Sequence, residues 1–146
     1  MERKKFLQSL GAGAAFALTF PCLGACSKDD VDGNKVEQPT GVDFTIDLDS
    51  EEAAPLSQNG GYILKNLVVV ARNLDGAFVA ATQVCSHENY DQVRFVPQEG
   101  GIFYCDVHGS RFDQDGSPLN TIPNSTAKPI KMYNTELTGN ILRVFE

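Results

Sequence analysis

The pattern of apolar and polar residues along the chain predicts β-strands and gives little sign of helices. Residues 43–48 alternate polar and apolar side chains, as expected for a strand with one buried face. Other short runs are apolar or β-branched and are separated by Gly, Asn and Asp. The predicted strands are residues 43–48, 67–71, 77–83, 92–96, 101–104, 131–136 and 141–145, with a short helical turn around residues 50–54.

The turn signals between these strands predict antiparallel hairpins. Residues 73–76 (Asn-Leu-Asp-Gly) join two predicted strands, and residues 138–140 (Thr-Gly-Asn) join the last two. Many short strands with turns between them favour a small sandwich or barrel. We therefore expect an all-β, antiparallel fold.

The first 42 residues differ from the rest of the chain. Three basic residues, 3–5, precede a largely apolar run over residues 6–25, which is the pattern of a secretory signal. Residues 27–41 are mostly polar and contain Gly and Pro, as in a flexible tether. We predict a signal peptide over 1–25, an attachment site and tether over 26–42, and a folded domain over 43–146.

The end of the apolar run resembles a lipobox, Leu23-Gly24-Ala25-Cys26. The resemblance implies cleavage before Cys26 and attachment of lipid to that residue. An uncleaved membrane helix is the alternative, because the apolar run is long enough to span a bilayer. Residues 3–7 also resemble a degenerate twin-arginine signal, which leaves the export route open. Ser27 and the acidic residues after it resemble sorting signals for the outer membrane or surface of Gram-negative bacteria.

The charge of the chain argues against nucleic-acid binding. The formal net charge is −7, and because the first 25 residues carry +2, the remainder carries −9. No basic patch interrupts this acidic composition. The acidic charge would therefore favour a partner that has a basic surface.

The residues that carry chemistry lie in two short clusters. Cys85 and His87 form a C-x-H arm, and Cys105 and His108 form a C-x-x-H arm. These are the only histidines in the chain, and the other two cysteines lie within the first 26 residues. Two thiolates and two imidazoles on a pair of loops match the ligands of a [2Fe–2S] centre in which cysteines hold one iron and histidines the other. A Cys2His2 zinc site uses the same residue types, although zinc sites usually pair like ligands.

The second arm extends into a longer motif over residues 105–113, Cys-Asp-Val-His-Gly-Ser-Arg-Phe-Asp. This sequence resembles the second ligand loop of Rieske iron–sulfur proteins, C-x-x-H-G-S-x-F-D, and the likeness extends over roughly residues 42–146. The resemblance implies a Rieske-type antiparallel β-sandwich or barrel, with two cluster-binding loops at one tip and one [2Fe–2S] cluster.

The residues around the ligands imply further properties by the same resemblance. Ser110 lies where high-potential relatives place a hydroxyl that bonds to a bridging sulfide, while Phe112 replaces a tyrosine hydroxyl, so an intermediate reduction potential is expected. Tyr90 and Val107 occupy the positions of the loop disulfide in respiratory relatives. Glu88 replaces an apolar residue that docks at a quinol site. A proline-containing cover over the cluster is expected, with Pro123 as its candidate.

The sequence favours an electron carrier over an enzyme that completes a reaction alone. With both histidines committed, no third histidine remains for a base or a mononuclear iron site. We expect an exported, lipid-anchored electron-transfer protein with a redox protein partner in the cell envelope of a Gram-negative bacterium, at the outer membrane or surface. The alternatives are a small iron–sulfur subunit of a larger quinol or molybdenum oxidoreductase, and a non-redox binding module with a zinc or vestigial site.

Overall fold

The structure is a computed structural model and describes residues 35–123 and 128–146. The predicted signal peptide, Cys26 and the first part of the predicted tether lie outside these residues. Among the described residues, none belongs to a helix with the length and hydrophobicity needed to cross a membrane.

The described part of the chain forms antiparallel β-sheets, as predicted. In chain order the strands are β1 (Asp43–Asp47), β2 (Tyr62–Lys65), β3 (Val68–Arg72), β4 (Phe78–Thr82), β5 (Val93–Val96), β6 (Ile102–Cys105), β7 (Ser110–Phe112), β8 (Met132–Thr138) and β9 (Ile141–Phe145). The larger sheet has the order β1-β9-β8-β4-β3-β2, and the smaller has the order β5-β6-β7. The all-β, antiparallel fold expected from the sequence is thereby confirmed.

The hairpin between β2 and β3 was not predicted, because its turn lacks the usual residues. Lys65 pairs directly with Val68, so only Asn66 and Leu67 connect the two strands. Both connecting residues have positive φ, 52° and 61°, as a two-residue type I′ turn requires. Leu67 was expected to begin a strand, but in the structure it occupies a left-handed conformation that is rare for leucine.

The expected helical turn lies a few residues later than the sequence indicated. A 3-10 helix covers Ala54–Ser57, with Pro55 in its first turn. Proline is tolerated there because the first amides of a helix have no partner within the helix. A second short 3-10 helix, Gln98–Gly100, follows β5.

The core lies on both faces of β3, which explains why this strand is a continuous apolar run. Val68 and Val70 pack into one cluster, which includes Leu142 of β9. Val69 and Ala71 point to the other cluster, which includes Phe103 of the smaller sheet and both Cys85 and Cys105. The cluster between the sheets therefore supports the cysteines directly.

Replacing Phe103 with Ala is expected to destabilise the fold by about 3–5 kcal/mol. The Phe103 ring is fully buried, and it meets the ring of Phe95 edge-on with centroids 5.4 Å apart. Urea unfolding measures the change as a lower midpoint. Leu137→Ala is the control, because that side chain is 49% exposed and its loss should change stability by no more than about 0.5 kcal/mol. Equal losses in the two variants would contradict this account of the core.

Candidate metal centre

The first ligand loop begins just after β4 and closes on Cys85. The Cys85 carbonyl accepts a hydrogen bond from the Asn89 amide at 2.9 Å, and the Cys85 amide donates to the Tyr90 carbonyl at 2.8 Å. Asn89 has φ of 57°, a left-handed conformation that asparagine tolerates better than most residues. The chain thus turns tightly between Cys85 and Tyr90.

The second ligand loop closes in the same way. Cys105 is the last residue of β6, and its carbonyl accepts a hydrogen bond from the Gly109 amide at 3.0 Å. Gly109 has φ of 76°, in the region that favours glycine. In both loops, the residue four positions after the cysteine has a left-handed backbone, and its amide donates a hydrogen bond to the cysteine carbonyl.

The two cysteines lie side by side beneath the surface. Cys85 and Cys105 are 2% and 1% exposed, and both thiols are free. A hydrogen bond between the thiols lowers the pKa of Cys85 and raises the pKa of Cys105, which burial raises further. The backbone amides of His87 and Glu88 lower the pKa of the Cys85 thiol, and the backbone amide of Val107 acts in the same direction on Cys105. The surroundings therefore favour a thiolate at Cys85, whereas at Cys105 the neighbouring thiol and burial outweigh the amide and favour the thiol.

The two histidines converge at the surface. Their Nδ1 atoms are 3.2 Å apart, and their rings meet edge-on with centroids 4.7 Å apart. His87 is half-buried and His108 is exposed. Nitrogen ligands bind metals at about 2.0–2.1 Å, so two nitrogens at this separation can reach one ion. The site has sulfur donors inside and imidazole donors at the surface.

Ser110 contributes a buried hydroxyl beside the sulfurs. The residue pairs with Cys105 across β6 and β7 and is 4% exposed. Its Oγ faces Cys85 and helps to lower the pKa of that thiol, but it completes no regular hydrogen bond within the described residues. Phe112 lies in the core cluster that contains both cysteines.

Glu88 adds a negative charge beside the outer imidazole. Its carboxylate lies 4.0 Å from Nε2 of His108 and 3.8 Å from Nζ of Lys35. The centroid of the Tyr90 ring lies 6.0 Å from that of His108. The ammonium group of Lys35 lies over the Tyr90 ring, 5.1 Å from its centroid. This part of the first ligand loop is therefore charged and polar.

The segment before β1 packs along the first ligand loop. Lys35 forms a β-bridge with Tyr90, and the Val36 amide donates to the Asn89 carbonyl at 2.9 Å. Gln38 accepts a hydrogen bond from the Thr82 hydroxyl at 2.7 Å and donates to the Val84 carbonyl at 3.1 Å. These contacts support the residues that lead into Cys85.

The segment after β7 contacts both ligand loops. The Asn120 side chain bonds to the backbone of the second loop, and the Ser86 hydroxyl donates to the Lys128 carbonyl of the same segment at 2.9 Å. The cover attributed to Pro123 stays a prediction, because its neighbours 124–127 lie outside the described residues.

The structure brings all five sequence-predicted site residues into one place, namely Cys85, His87, Cys105, His108 and Ser110. Gln38 and Asn120 were not predicted from the sequence. Gln38 bonds to the Thr82 hydroxyl and the Val84 carbonyl, and Asn120 bonds to the backbone of the second ligand loop. A lone amide side chain in a polar segment carries no spacing signal that would identify such a role. Cys26, the predicted lipid site, lies outside the described residues.

Comparisons with known proteins support the same fold and cofactor. The model of the Rieske [2Fe-2S] domain family matches residues 25–138. The ferredoxin of carbazole 1,9a-dioxygenase from Nocardioides aromaticivorans IC177 is 26% identical, with a TM-score of 0.49 over 63% of this chain and 92% of the ferredoxin. Naphthalene 1,2-dioxygenase with bound indole is 18% identical, with a TM-score of 0.50 over 72% of this chain and 26% of the dioxygenase chain. A search of curated proteins finds no match.

The residues present fit a [2Fe–2S] cluster with two cysteine and two histidine ligands. Both sulfurs are buried side by side, and backbone amides beside them favour the anionic form that metal binding requires, with the net pKa lowered at Cys85. The two Nδ1 atoms converge, and the Ser110 hydroxyl is buried beside the sulfurs without a regular partner. An additional acceptor in the site would satisfy that hydroxyl.

Replacing Gln38 with Leu is expected to loosen the first ligand loop. The change removes two hydrogen bonds and leaves the fully buried Thr82 hydroxyl without its acceptor, at a cost of about 1–3 kcal/mol. Urea unfolding should show lower stability, and hydrogen exchange should be faster at the Asn89 amide. Gln58→Leu is the matched control at an exposed position. If the two variants match the parent protein in both measurements, Gln38 does not support the loop.

Proposed function

The chain belongs to the Rieske [2Fe-2S] domain family, and on this premise we propose that it is an exported, lipid-anchored carrier of single electrons in the cell envelope. Domains of this family transfer electrons through a [2Fe–2S] cluster. The carrier would exchange electrons with a redox protein partner. The observation that carries the proposal is the meeting of two surface imidazoles, 3.2 Å apart, above two buried thiols.

Four side chains are proposed to hold the cluster. Cys85 and Cys105 would bind the inner iron as thiolates, and His87 and His108 would bind the outer iron through Nδ1. The arrangement of buried sulfurs and surface imidazoles supports this division. When bound, the cluster supplies a site that accepts and releases one electron.

The protein's own groups prepare the site and expose it on one side only. Amides from His87, Glu88 and Val107 stabilise the thiolates, and the core cluster keeps water from the sulfurs. The imidazoles are the part of the site that a partner can approach. Because His108 is exposed, the shortest route for an electron leads through the histidine side.

The rim of the site favours a transient carrier over a fixed subunit. Glu88 and Asp106 are exposed in the two ligand loops, and the net charge after the predicted signal peptide is −9. In the described part of the segment after β7, which contacts both loops, Leu119 is the large apolar side chain that is exposed. A single leucine is not the broad apolar patch of a permanent interface. A basic surface on the partner would complement this rim.

The proposed envelope location rests on the sequence before the folded domain. Cleavage before Cys26 would leave a short polar tether ahead of Lys35, and lipid on Cys26 would hold the domain at a membrane. The acidic residues after Cys26 support sorting to the outer membrane or surface of a Gram-negative bacterium.

Two alternatives make different demands on the same site. A small iron–sulfur subunit of a larger quinol or molybdenum oxidoreductase would use the same cluster but would remain bound to its complex during purification. A zinc or vestigial module would hold no iron. The family match and the mixed Cys and His arms favour the cluster over zinc.

The dithionite-reduced protein is expected to give the EPR spectrum of a Rieske cluster. Replacing His87 or His108 with Ala removes a proposed ligand, and each change should abolish that spectrum. Asn134→Ala, on β8, is the control and should leave the spectrum intact. A protein that contains iron but has no such spectrum, or that contains zinc in its place, would refute the electron-transfer role.

Replacing Cys26 with Ser is expected to release the protein from membranes. The change removes the thiol that would carry lipid, so labelled fatty acid should no longer be incorporated, and the protein should move to the soluble fraction. Cys22→Ser is the matched control, because that cysteine would be discarded with the signal peptide. Incorporation of labelled fatty acid at the parent level in the Cys26 variant would contradict lipid attachment at this residue.

A further inference from the structure

Asn120 bridges two backbone groups of the second ligand loop. Its Nδ2 donates to the Gly109 carbonyl at 2.8 Å, and its Oδ1 accepts from the Arg111 amide at 2.8 Å. Asn120 comes from the segment after β7, and its side chain is partly buried. One planar amide therefore fixes the backbone on both sides of Ser110.

The bridge compensates for the position of β7 at the edge of its sheet. β7 has three residues, pairs with β6 on one side, and on the other side makes a single bridge, between Phe112 and Pro118. On the other side, Asn120 accepts from the Arg111 amide, and the Leu119 amide donates to the Arg111 carbonyl at 2.8 Å. Without these bonds, both outward-facing groups of Arg111 would have no protein partner. The Ser110 end of β7 would then be held by its pairing with β6 alone.

Movement of this edge would carry the Ser110 hydroxyl away from the sulfurs. Ser110 lies between the two bridged residues, and its own pairing with Cys105 is at the end of the short β6–β7 ladder. Its buried Oγ faces Cys85 and has no regular partner among the described residues. The position of the hydroxyl thus depends on the Ser110 backbone, because no regular hydrogen bond among the described residues fixes the side chain itself.

We propose that Asn120 is a positioning residue that raises the reduction potential by holding the Ser110 hydroxyl against the sulfur ligands. The inference rests on the proposed cluster and goes beyond it by adding a residue whose hydrogen bonds go to the backbone of the second ligand loop. A hydroxyl that donates to sulfur stabilises the more negative, reduced state. Asn120 contributes to this effect only through the serine.

A double-mutant cycle on the full chain tests the proposal. Ser110→Ala and Asn120→Leu are made singly and together, and midpoint potentials are measured by redox titration of the EPR signal. Each single variant should have a lower potential than the parent. The double variant should have the potential of Ser110→Ala alone, because Asn120 has no effect without the hydroxyl.

A matched control separates positioning from general loosening. Asn73 also bridges backbone groups, since its Oδ1 accepts from the amides of Asp75 and Ala77, and its Nδ2 donates to Gln114. It lies in the turn between β3 and β4, at the end of β4 away from Cys85. Asn73→Leu should lower thermal stability and leave the potential unchanged.

The outcomes distinguish this inference from the proposed function. Additive shifts of Ser110→Ala and Asn120→Leu, or an unchanged potential in Asn120→Leu, would overturn the positioning role while leaving the cluster in place. The absence of a Rieske signal from the parent protein would overturn the proposed function itself. If Asn120→Leu loses its cluster, Asn120→Asp replaces it in the cycle, because Asp keeps an acceptor for the Arg111 amide. The added charge should shift the potential equally with and without the Ser110 hydroxyl, so its effect cancels when the two shifts are compared.

Discussion

The hydrogen bond from the fourth residue after each cysteine back to the cysteine carbonyl is the constraint on which the site depends. Asn89 closes on Cys85, and Gly109 closes on Cys105, each with a left-handed backbone. Closing the turn in this way directs the intervening amides toward the sulfur. The same turn carries the histidine to the surface. One short backbone pattern, used twice, therefore produces both kinds of ligand in their places.

The rest of the fold brings these two turns together and limits their movement. Cys85 follows β4 of the larger sheet, and Cys105 ends β6 of the smaller sheet, so the packing of the two sheets brings the sulfurs into contact. Segments outside the ligand hairpin then secure the backbone, with Gln38 before β1 on the first loop and Asn120 after β7 on the second. Glu88 and Asp106 are exposed in the two loops, and Lys35 lies 3.8 Å from the Glu88 carboxylate.

The sequence was informative where chemistry or periodicity leaves a local mark. The mixed Cys and His arms identified the cofactor, and alternating or β-branched runs located seven of the strands. The β2 strand was missed because its turn uses Asn66 and Leu67 in place of glycine. The β7 strand was missed because its three residues are too few to show alternation. Asn120 was missed because both of its partners are backbone groups, which any residue could supply, and Gln38 was missed because its partners Thr82 and Val84 lie 44 and 46 residues away.

The central claim is that two thiols and two imidazoles at this tip hold a [2Fe–2S] cluster. The most direct test is to measure metal and acid-labile sulfide in protein produced with intact cluster assembly. The account predicts about two irons and two sulfides per chain, with no zinc. About one zinc per chain without sulfide, or neither metal nor sulfide, would contradict it.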